Sequence, residues 1–381
     1  MSYKAVTPSE FFNPETQVGH LRLIACPGAE ALTNLIDNHL RAWAKEVGMD
    51  VDTFIVECAC PRFQSGDAKG LVKSSVRGDD IFIVVDPGNY SLTYNLFGHE
   101  NHMSPDDHFA NLKRIIQAVA GRAHRVSVIM PSLYGGRQHR RVSRESLDCA
   151  CALQELQAMG VANIITFDAH DPRLTNAVPL LSFDNVMPTN EVLTTLLAHM
   201  PDLDFNKEHF MVVSPDEGAM SRNMYYSSVL GCNLGMFYKR RDYSRIVQGR
   251  NPIVAHEYLG DSVEGKTVFI ADDIIASGES MLEVARELKK RGAKRIITNA
   301  TFPLFTSGVE KFREAVAEGV LDAVLGTNLT YRKPELLAEP WYFDVDCSVH
   351  TAYYVAAINH DMPFSTLYDP NAETKKLLKS R

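Results

Sequence analysis

The sequence predicts an α/β protein with two doubly wound lobes, each a parallel β-sheet covered by helices on both faces. Short apolar runs alternate with longer segments of helical periodicity, a pattern typical of parallel strands buried on both faces. The alternation runs through the first half of the chain and then begins again near residue 210. Two similar lobes are therefore favoured over one large domain.

The strand candidates are short runs rich in aliphatic and β-branched side chains. In the first lobe they are Leu21–Cys26, Thr53–Cys58, Ile81–Val85, Val126–Met130 and Asn163–Phe167. In the second lobe they are Phe210–Val213, Leu234–Tyr238, Val268–Ala271, Arg295–Ala300 and Ala323–Gly326. Helices are predicted at Ala29–Val47, Asp106–Ala120, Arg144–Met159, Met281–Arg291 and Gly308–Glu318. The predicted organisation is an N-terminal arm (1–19), a first lobe (20–182) and a second lobe (183–381).

Composition argues against two classes of partner. The formal net charge is −8, with 39 basic and 47 acidic residues, whereas nucleic-acid binders normally carry a basic excess. No apolar run reaches the length of a bilayer span, and no basic-then-apolar leader is evident. The seven cysteines lack zinc-ligand spacing, so we expect them to be reduced, with zinc as a minor alternative. We expect a cytoplasmic protein with neither a membrane nor a nucleic acid as its partner.

The segment VFIADDIIASGESML, residues 268–282, carries the strongest chemical signal. A strand ends at Asp272-Asp273, and the small-residue loop 276–280 leads into a helix. Backbone N–H groups at a helix start, with two serine hydroxyls, form a cradle for a phosphate. Adjacent carboxylates accept hydrogen bonds from sugar hydroxyls or share a magnesium ion with the substrate. The segment predicts a sugar-phosphate site, and the plain alternative is an ordinary helix cap beside two solvated acids.

A second phosphate-loop pattern overlaps the first one. Residues 260–267 read GDSVEGKT and fit G-x-x-x-x-G-K-T. A true phosphate loop needs a strand before it and a helix after it, but here the strand comes after the pattern. We interpret the match as accidental, with Gly265-Lys266 forming a turn into the strand.

Two long polar stretches interrupt the apolar pattern. Asp86–Asp107 carries His99 and His102, and Asp242–Gly260 joins two strand candidates. Loops of this length inside compact domains are usually functional or mobile.

Five further segments carry polar residues in positions suited to a phosphate substrate. They are Phe63–Asp67 with Ser75–Gly78, GGRQHRR (135–141), DAH (168–170), SPDEG (214–218) and KRR (239–241). Arginine clusters suit bidentate capture of phosphate oxygens, although a solvated basic loop is the plain alternative. Cations after a strand suit the neutralisation of charge on a transferred phosphate.

Taken in order, these motifs resemble those of the ribose-phosphate pyrophosphokinases, from Phe63 to the C-terminus. The 268–282 segment resembles their pentose-phosphate motif, which phosphoribosyltransferases share. The resemblance implies lobes of the phosphoribosyltransferase type, with ATP on the first lobe and ribose 5-phosphate on the second. It implies a transferase of nucleotide biosynthesis that makes 5-phosphoribosyl 1-diphosphate and AMP. It also implies Mg²⁺ and a dimer-based homo-oligomer such as a hexamer.

The resemblance also assigns residues. The implied ATP-binding residues are Phe63, Ser65, Asp67, Arg137, Gln138 and His170. The implied ribose 5-phosphate residues are Asp272, Asp273, Ser277, Gly278 and Ser280. Lys239 and Arg241 are the implied catalytic pair, and His170 and Asp216 are the implied magnesium contacts.

Three departures from the family pattern leave alternatives open. Ala276 stands where a third aspartate is usual, Glu279 where glycine is common, and His139 where an aspartate is usual. Ala276 slightly favours a phosphoribosyltransferase that consumes the diphosphate, whereas the ATP-type motifs oppose that reading. The changes at His139, Glu279 and Ala219, the last in the SPDEGA segment, also keep open a catalytically silent regulatory homologue.

Overall fold

The structure, a computed structural model, describes residues 12–241, 253–364 and 369–379. The chain divides into two compact units. Unit 1 comprises Met1–Pro188, Asn328–Tyr331 and Asp346–Glu373, and unit 2 comprises Thr189–Thr327, Arg332–Val345 and Thr374–Arg381.

Unit 1 is built on a five-stranded parallel sheet. Its strands lie in the order β1 (His20–Ala25), β4 (Asp79–Val84), β7 (Arg125–Ile129), β8 (Asn163–Phe167) and β9 (Ser182–Val186). A single parallel bridge, Leu23 to Ile55, adds the segment before Val56 to the outer side of β1. The chain thus moves outward from β1 in both directions, so the winding reverses between β1 and β4.

Helices and two small hairpins complete unit 1. The helices are α1 (Glu30–Glu46), α2 (Pro105–Val119) and α3 (Asp148–Ala158), with 3-10 turns at Pro14–Thr16 and Pro172–Ala177. The hairpins pair β2 (Cys58–Ala59) with β3 (Leu71–Val72), and β5 (Thr93–Leu96) with β6 (His99–His102). The apolar faces of α2 and α3 pack on the strands in one continuous core.

Unit 2 is built on a seven-stranded sheet. The strand order is β12 (Ile253–Leu259), β11 (Asn233–Arg241), β10 (Phe210–Ser214), β13 (Thr267–Ile275), β14 (Arg295–Pro303), β15 (Ala323–Thr327) and β16 (Tyr342–Val345). All pairs are parallel except β11 with β12. The winding reverses between β10 and β13. The helices of this unit are α4 (Thr189–His199), α5 (Met220–Leu230), α6 (Glu279–Lys290), α7 (Glu310–Ala317) and α8 (Pro334–Leu337).

The α/β fold class with doubly wound sheets is confirmed, and most strand candidates lie in the two main sheets. Candidate Thr53–Cys58 is the exception, because only Ile55 bridges to the sheet. Strands β9, β12 and β16 were not predicted. All three lie at sheet edges, and polar residues interrupt their apolar pattern, as in SFDNV of β9 and IVAHEYL of β12. The chain after Gly265-Lys266 enters a strand, β13, so the 260–267 pattern lacks the helix that a phosphate loop requires.

Helix α9 (Ser348–Asn359) returns the C-terminal region to unit 1. Tyr353 stacks on Trp43 of α1 with ring centroids 4.9 Å apart. At the other end of α9, the Asn359 amide donates to Asp80 Oδ2 at 2.9 Å. The lobe boundaries at 20–182 and 183–381 stay a prediction. The compact units divide after Pro188, and residues 346–373 belong to unit 1. That return depends on contacts far apart in sequence.

The last described helix, α10 (Pro370–Lys379), ends the chain's described part. Among the described residues, none of the helices combines the length and apolarity that a bilayer crossing requires.

Candidate active site

Three carboxylates lie near the place where the unit 2 sheet reverses its winding. Strands β10 and β13 are parallel neighbours, so their carboxyl ends lie at the same edge. Asp216 follows β10 by two residues, and Asp272 and Asp273 lie within the second half of β13, which continues to Ile275. Open α/β sheets bind ligands in the crevice at such a reversal. The three aspartates singled out from the sequence therefore occupy the expected ligand position of this sheet.

The carboxylates are held by specific contacts. Arg222 Nη1 lies 3.5 Å from Asp272 Oδ1, and the Asp273 N–H donates to the same oxygen at 2.9 Å. The Ala219 N–H donates to Asp216 Oδ1 at 3.1 Å. Burial, and then the charge of Asp273, raise the pKa of Asp272 to about 8, although Arg222 opposes the shift. The pair therefore holds a proton at neutral pH, and a cation bound beside it would favour the release of that proton.

Asn223, which the sequence did not single out, fixes strand β13 just before the aspartates. Its side chain is fully buried, donates to the Ala271 carbonyl at 2.8 Å and accepts from the Ala271 N–H at 3.1 Å. A side-chain amide thus replaces a neighbouring strand at this point. Only the three-dimensional path of α5 over β13 identifies the role, because an asparagine inside a helix has no distinctive sequence signal.

The loop after Asp273 ends at an uncapped helix start. Gly278 has φ of +77°, and a Cβ at this position would lie 2.2 Å from the Phe312 ring. The Ser277 hydroxyl is 3.5 Å from the Glu279 N–H, too long for a firm bond, and no described side chain caps α6. The first N–H groups of α6 are therefore open to an anion.

Glu279 adds a negative charge to this helix start, which a phosphate site does not favour. Lys311 Nζ of α7 lies 2.5 Å from Glu279 Oε1. The lysine side chain lowers the pKa of the Glu279 carboxyl through this hydrogen bond and its charge. Lys311 was not identified from the sequence, since it lies 32 residues away from its partner. The pair offsets the departure at Glu279.

In unit 1, the strand end of β8 carries a histidine pair. Asp168, directly after the strand, has φ of +41°, an uncommon conformation for a residue with a side chain. Two residues further on, exposed His170 meets the His139 ring edge-on, with centroids 5.2 Å apart. His139 Nδ1 lies 2.8 Å from Asp171 Oδ2, and Arg173 also binds that carboxylate. His139 thus contacts both the His170 ring and the Asp171 carboxylate.

Arg137 and Gln138 follow β7, the neighbour of β8 in the sheet. Arg137 is exposed. Gln138 instead turns inward, and its amide donates to the carbonyls of Arg140 at 3.2 Å and Ser146 at 2.9 Å. Gln138 thus stabilises the basic loop, whereas the Arg137 side chain is accessible from solvent.

The predicted adenine-contacting segment is a tight loop with an exposed ring. The Phe63 N–H donates to the Asp67 carbonyl at 2.7 Å, and the Ser65 hydroxyl donates to Asp67 Oδ2 at 2.8 Å. Phe63 remains 54% exposed at the turn.

The predicted catalytic pair is only partly described. The backbone of Lys239 and Arg241 belongs to β11, opposite His256 and Ile253 of β12, with a register shift between Arg240 and Arg241. The side chains of both residues lie outside the described part of the chain, as do residues 242–252 of the long polar stretch.

Within unit 2, the structure brings together Asp216, Arg222, Asp272 and Asp273. Within unit 1, it brings together His139, His170 and Asp171. Among the described residues, no three His, Cys, Asp or Glu side chains are placed to hold a metal ion by themselves.

Comparisons with known proteins cover both units. A model of the phosphoribosyl transferase domain matches residues 191–310. A model of the N-terminal domain of ribose phosphate pyrophosphokinase matches residues 23–160. Together they contain the strand reversals of both sheets.

Relatives and a solved structure agree with these models. A ribose-phosphate pyrophosphokinase of Burkholderia pseudomallei is 27% identical over 304 residues, covering 78% of this chain and 85% of that protein. One of Staphylococcus aureus is 26% identical over 329 residues, covering 84% and 90%. The crystal structure of phosphoribosylpyrophosphate synthetase from Mycobacterium smegmatis superimposes with a TM-score of 0.71 at 21% identity, covering 90% of this chain and 99% of that one. This likeness shows a shared fold. With both domain models matched in order along one chain, the chain belongs to the ribose-phosphate pyrophosphokinase family.

Proposed function

We propose that this chain is an active ribose-phosphate diphosphokinase. It transfers the pyrophosphoryl group of ATP to the anomeric hydroxyl of ribose 5-phosphate, giving 5-phosphoribosyl 1-diphosphate and AMP. The observation that carries the proposal is the carboxylate set at the β10–β13 reversal beside an uncapped helix start. This combination offers acceptors for sugar hydroxyls and donors for a phosphate within one unit.

The sugar phosphate binds with its two polar ends on different groups. Asp272 and Asp273 accept hydrogen bonds from the ribose hydroxyls, and the N–H groups at Gly278 and Ser280, with the Ser277 hydroxyl, hold the 5-phosphate. The closeness of Gly278 to Phe312 supports the phosphate role, because a side chain at this position would displace the loop. The closeness of Asp272 and Asp273 supports the sugar role, since two adjacent carboxyls can accept hydrogen bonds from neighbouring ribose hydroxyls.

ATP binds on unit 1 residues. Exposed Arg137 pairs with phosphate oxygens, His170 contacts the same region, and exposed Phe63 stacks on the adenine ring with Ser65 and Asp67 at its polar edge. Gln138 contributes through the loop that it closes. Lys239 and Arg241 neutralise charge on the transferred and leaving phosphates.

Mg²⁺ fits this donor set as an ion held mainly by its substrate. Magnesium usually takes one or two protein ligands and completes its shell with phosphate oxygens and waters. His170 and Asp216 are the proposed protein contacts, as the resemblance to the family implies. When bound, the ion neutralises phosphate charge.

Two finer statements rest on the sequence and the family. We propose a dimer-based homo-oligomer, which light scattering of the purified chain tests directly. We propose a cytoplasmic location, supported by seven cysteines that are free in the structure.

The decisive test is sugar-dependent AMP release. The purified protein is incubated with Mg²⁺ and ATP, with either ribose 5-phosphate or ribose, and AMP is measured by chromatography. We expect AMP only with the phosphorylated sugar, together with a diphosphate signal on the sugar by phosphorus NMR. An absence of sugar-dependent AMP contradicts the proposal.

Two further measurements separate the two alternatives. A phosphoribosyltransferase would consume 5-phosphoribosyl 1-diphosphate with a nucleobase and release pyrophosphate. A silent regulatory homologue would bind ribose 5-phosphate without releasing AMP, and calorimetry detects that binding.

A further inference from the structure

The loop that presents Phe63 is closed by one arginine. Arg62 precedes it in sequence and forms a bridge with Ala68 across the loop base. Its guanidinium donates to the Gly66 carbonyl at 3.1 Å, so one side chain ties the start of the loop to its far side. The same group pairs with Asp107 Oδ1 at 2.9 Å. Both partners are largely buried, with side-chain exposures of 15% and 19%, so this ion pair is better shielded from solvent than a surface pair.

The polar insert, residues 86–107, supplies further contacts to Arg62 and to its loop. The stretch Asp86–Asp107 contains the β5–β6 hairpin and the start of α2. Tyr94 of β5 stacks under Arg62, with the guanidinium carbon 4.0 Å from the ring centroid. Two residues along the strand, on the same face, Leu96 fills the space beside Gly66, where an added Cβ would lie 2.4 Å from its methyl group. Arg62 is thus held by a ring, a carboxylate and a carbonyl at once.

The far end of the hairpin does not share in these contacts. Phe97 and Gly98 form the turn, both with positive φ, as a two-residue hairpin turn requires. Phe97 is 75% exposed. The hairpin therefore has a packed side, Tyr94 and Leu96, and a solvent-facing tip.

We propose that the β5–β6 hairpin is a clamp that positions the Phe63 loop through Arg62, and so determines how tightly the enzyme binds the adenine ring of ATP. This inference rests on the proposed function for the role of Phe63. An exposed ring stacks on a base with useful affinity only if it is held in place beforehand, since ordering a loop on binding costs free energy. Arg62 and Tyr94 are positioning residues, acting through Phe63.

Four variants test the clamp in the full-length protein. Arg62→Met removes the guanidinium group but keeps an unbranched apolar side chain. Arg62→Lys keeps the charge but neither the bidentate geometry nor the planar stack. Tyr94→Leu removes the ring beneath the guanidinium. Phe97→Ala is the matched control, because it alters the same hairpin at its solvent-facing tip.

Hydrogen exchange is the readout that does not depend on activity. In Arg62→Met and Tyr94→Leu, we expect the amides of Phe63 and Gly66, which close the loop, to exchange at least about tenfold faster, with the α1 and α2 amides unchanged. Phe97→Ala should match the wild type. Unchanged exchange of these two amides in Arg62→Met overturns the clamp. If that variant loosens the whole unit, Arg62→Lys decides between the outcomes in the same way.

Steady-state kinetics test the consequence for ATP. We expect Arg62→Met to raise KM for ATP about tenfold, equivalent to about 1.4 kcal/mol, with kcat and KM for ribose 5-phosphate within about twofold. The double variant Arg62→Met/Tyr94→Leu should be no worse than the poorer single variant, because both act through one contact. An equal rise in both KM values, or a fall in kcat alone, contradicts the proposal.

A failure of the proposed function gives a different result. If the wild type releases no sugar-dependent AMP, calorimetric titration with ATP replaces kinetics. Weaker ATP binding in Arg62→Met than in Phe97→Ala then supports the clamp, and equal binding overturns it.

Discussion

Both sheets reverse their winding near the first strand of their unit, but different groups occupy the two reversals. In unit 2, the β10–β13 reversal holds Asp216, Asp272 and Asp273 close together, at a cost shown by the raised pKa of Asp272. In unit 1, the β1–β4 reversal is filled by the chain itself. Asp86, two residues after the end of β4, is buried and accepts from the Thr330 hydroxyl at 3.0 Å and the Tyr331 N–H at 2.7 Å.

Other contacts complete the filling in unit 1. The Asn89 amide donates to the Gly28 carbonyl at 2.8 Å, and the Glu30 carboxylate accepts from the Gly28 N–H at 2.8 Å. The contrast teaches that an aspartate near a strand end is a proposed ligand group in one unit and a structural acceptor in the other. The difference lies in the neighbours of the carboxyl, because Asp86 accepts from donors of the chain, whereas Asp272 lies beside a second carboxyl, Asp273.

The largest expected effect tests the open reversal. Asp272→Asn should lower kcat/KM for ribose 5-phosphate by about 100-fold, since two charge-assisted hydrogen bonds to sugar hydroxyls are each worth about 1.5 kcal/mol. The AMP assay measures this. The matched control is Asp261→Asn, an exposed carboxylate of the same unit that binds Asn233, and it should retain full activity. Equal activity of both variants would remove Asp272 from the site.

The filled reversal should respond in stability instead. Asp86→Ala leaves three donors without their acceptor, namely the buried Thr330 hydroxyl and the N–H groups of Tyr331 and Gly88, and should cost about 2 kcal/mol or more of unfolding free energy. Calorimetric unfolding measures the loss. Thr330→Val should cost less, and the double variant should fall short of the sum because the two residues share a bond. Full additivity would mean that Asp86 and Thr330 act independently.

The pH dependence of stability sharpens the contrast. Folding raises the pKa of Asp272 from 3.8 to about 8, so between these values the folded state binds a proton that the unfolded state has lost. Stability therefore falls as pH rises from about 4 to about 8 and levels off above that. Asp272→Asn carries no charge at this position at any pH, so it does not lose stability in this way. Its Tm should exceed that of the wild type by a few degrees at pH 8.5. A Tm difference that stays constant from pH 4 to pH 8.5 would contradict the assignment.

The smallest expected effect concerns the helix start. Lys311→Met leaves Glu279 uncompensated beside the phosphate and should weaken ribose 5-phosphate binding about threefold, measured by calorimetry. Lys73→Met is the matched control, since Lys73 makes a similar exposed pair with Glu57 at 2.6 Å. Both changes should alter stability by less than about 1 kcal/mol. Equal sugar binding in the two variants would show that Glu279 is too far from the phosphate to matter.

Sequence reasoning worked best where chemistry and secondary structure coincide in one short segment. Asp272, Asp273 and Gly278 were identified because a buried strand, an acidic pair and a small-residue loop follow one another. It worked less well for side chains defined by distant partners. Asn223, Lys311 and the contact between His139 and Asp171 depend on residues 48, 32 and 32 positions away.

By itself, the sequence determined the α/β class, the two sheets, the order of the motifs and the composition of the candidate site. These follow from local periodicity and from residue types that suit one chemistry. Only the tertiary structure decided that Asp86 is satisfied by Thr330 while Asp272 is left beside another carboxyl, and that the polar insert holds Arg62. The physical reason is that burial and hydrogen-bond partners are properties of neighbours in space, which chain order does not specify.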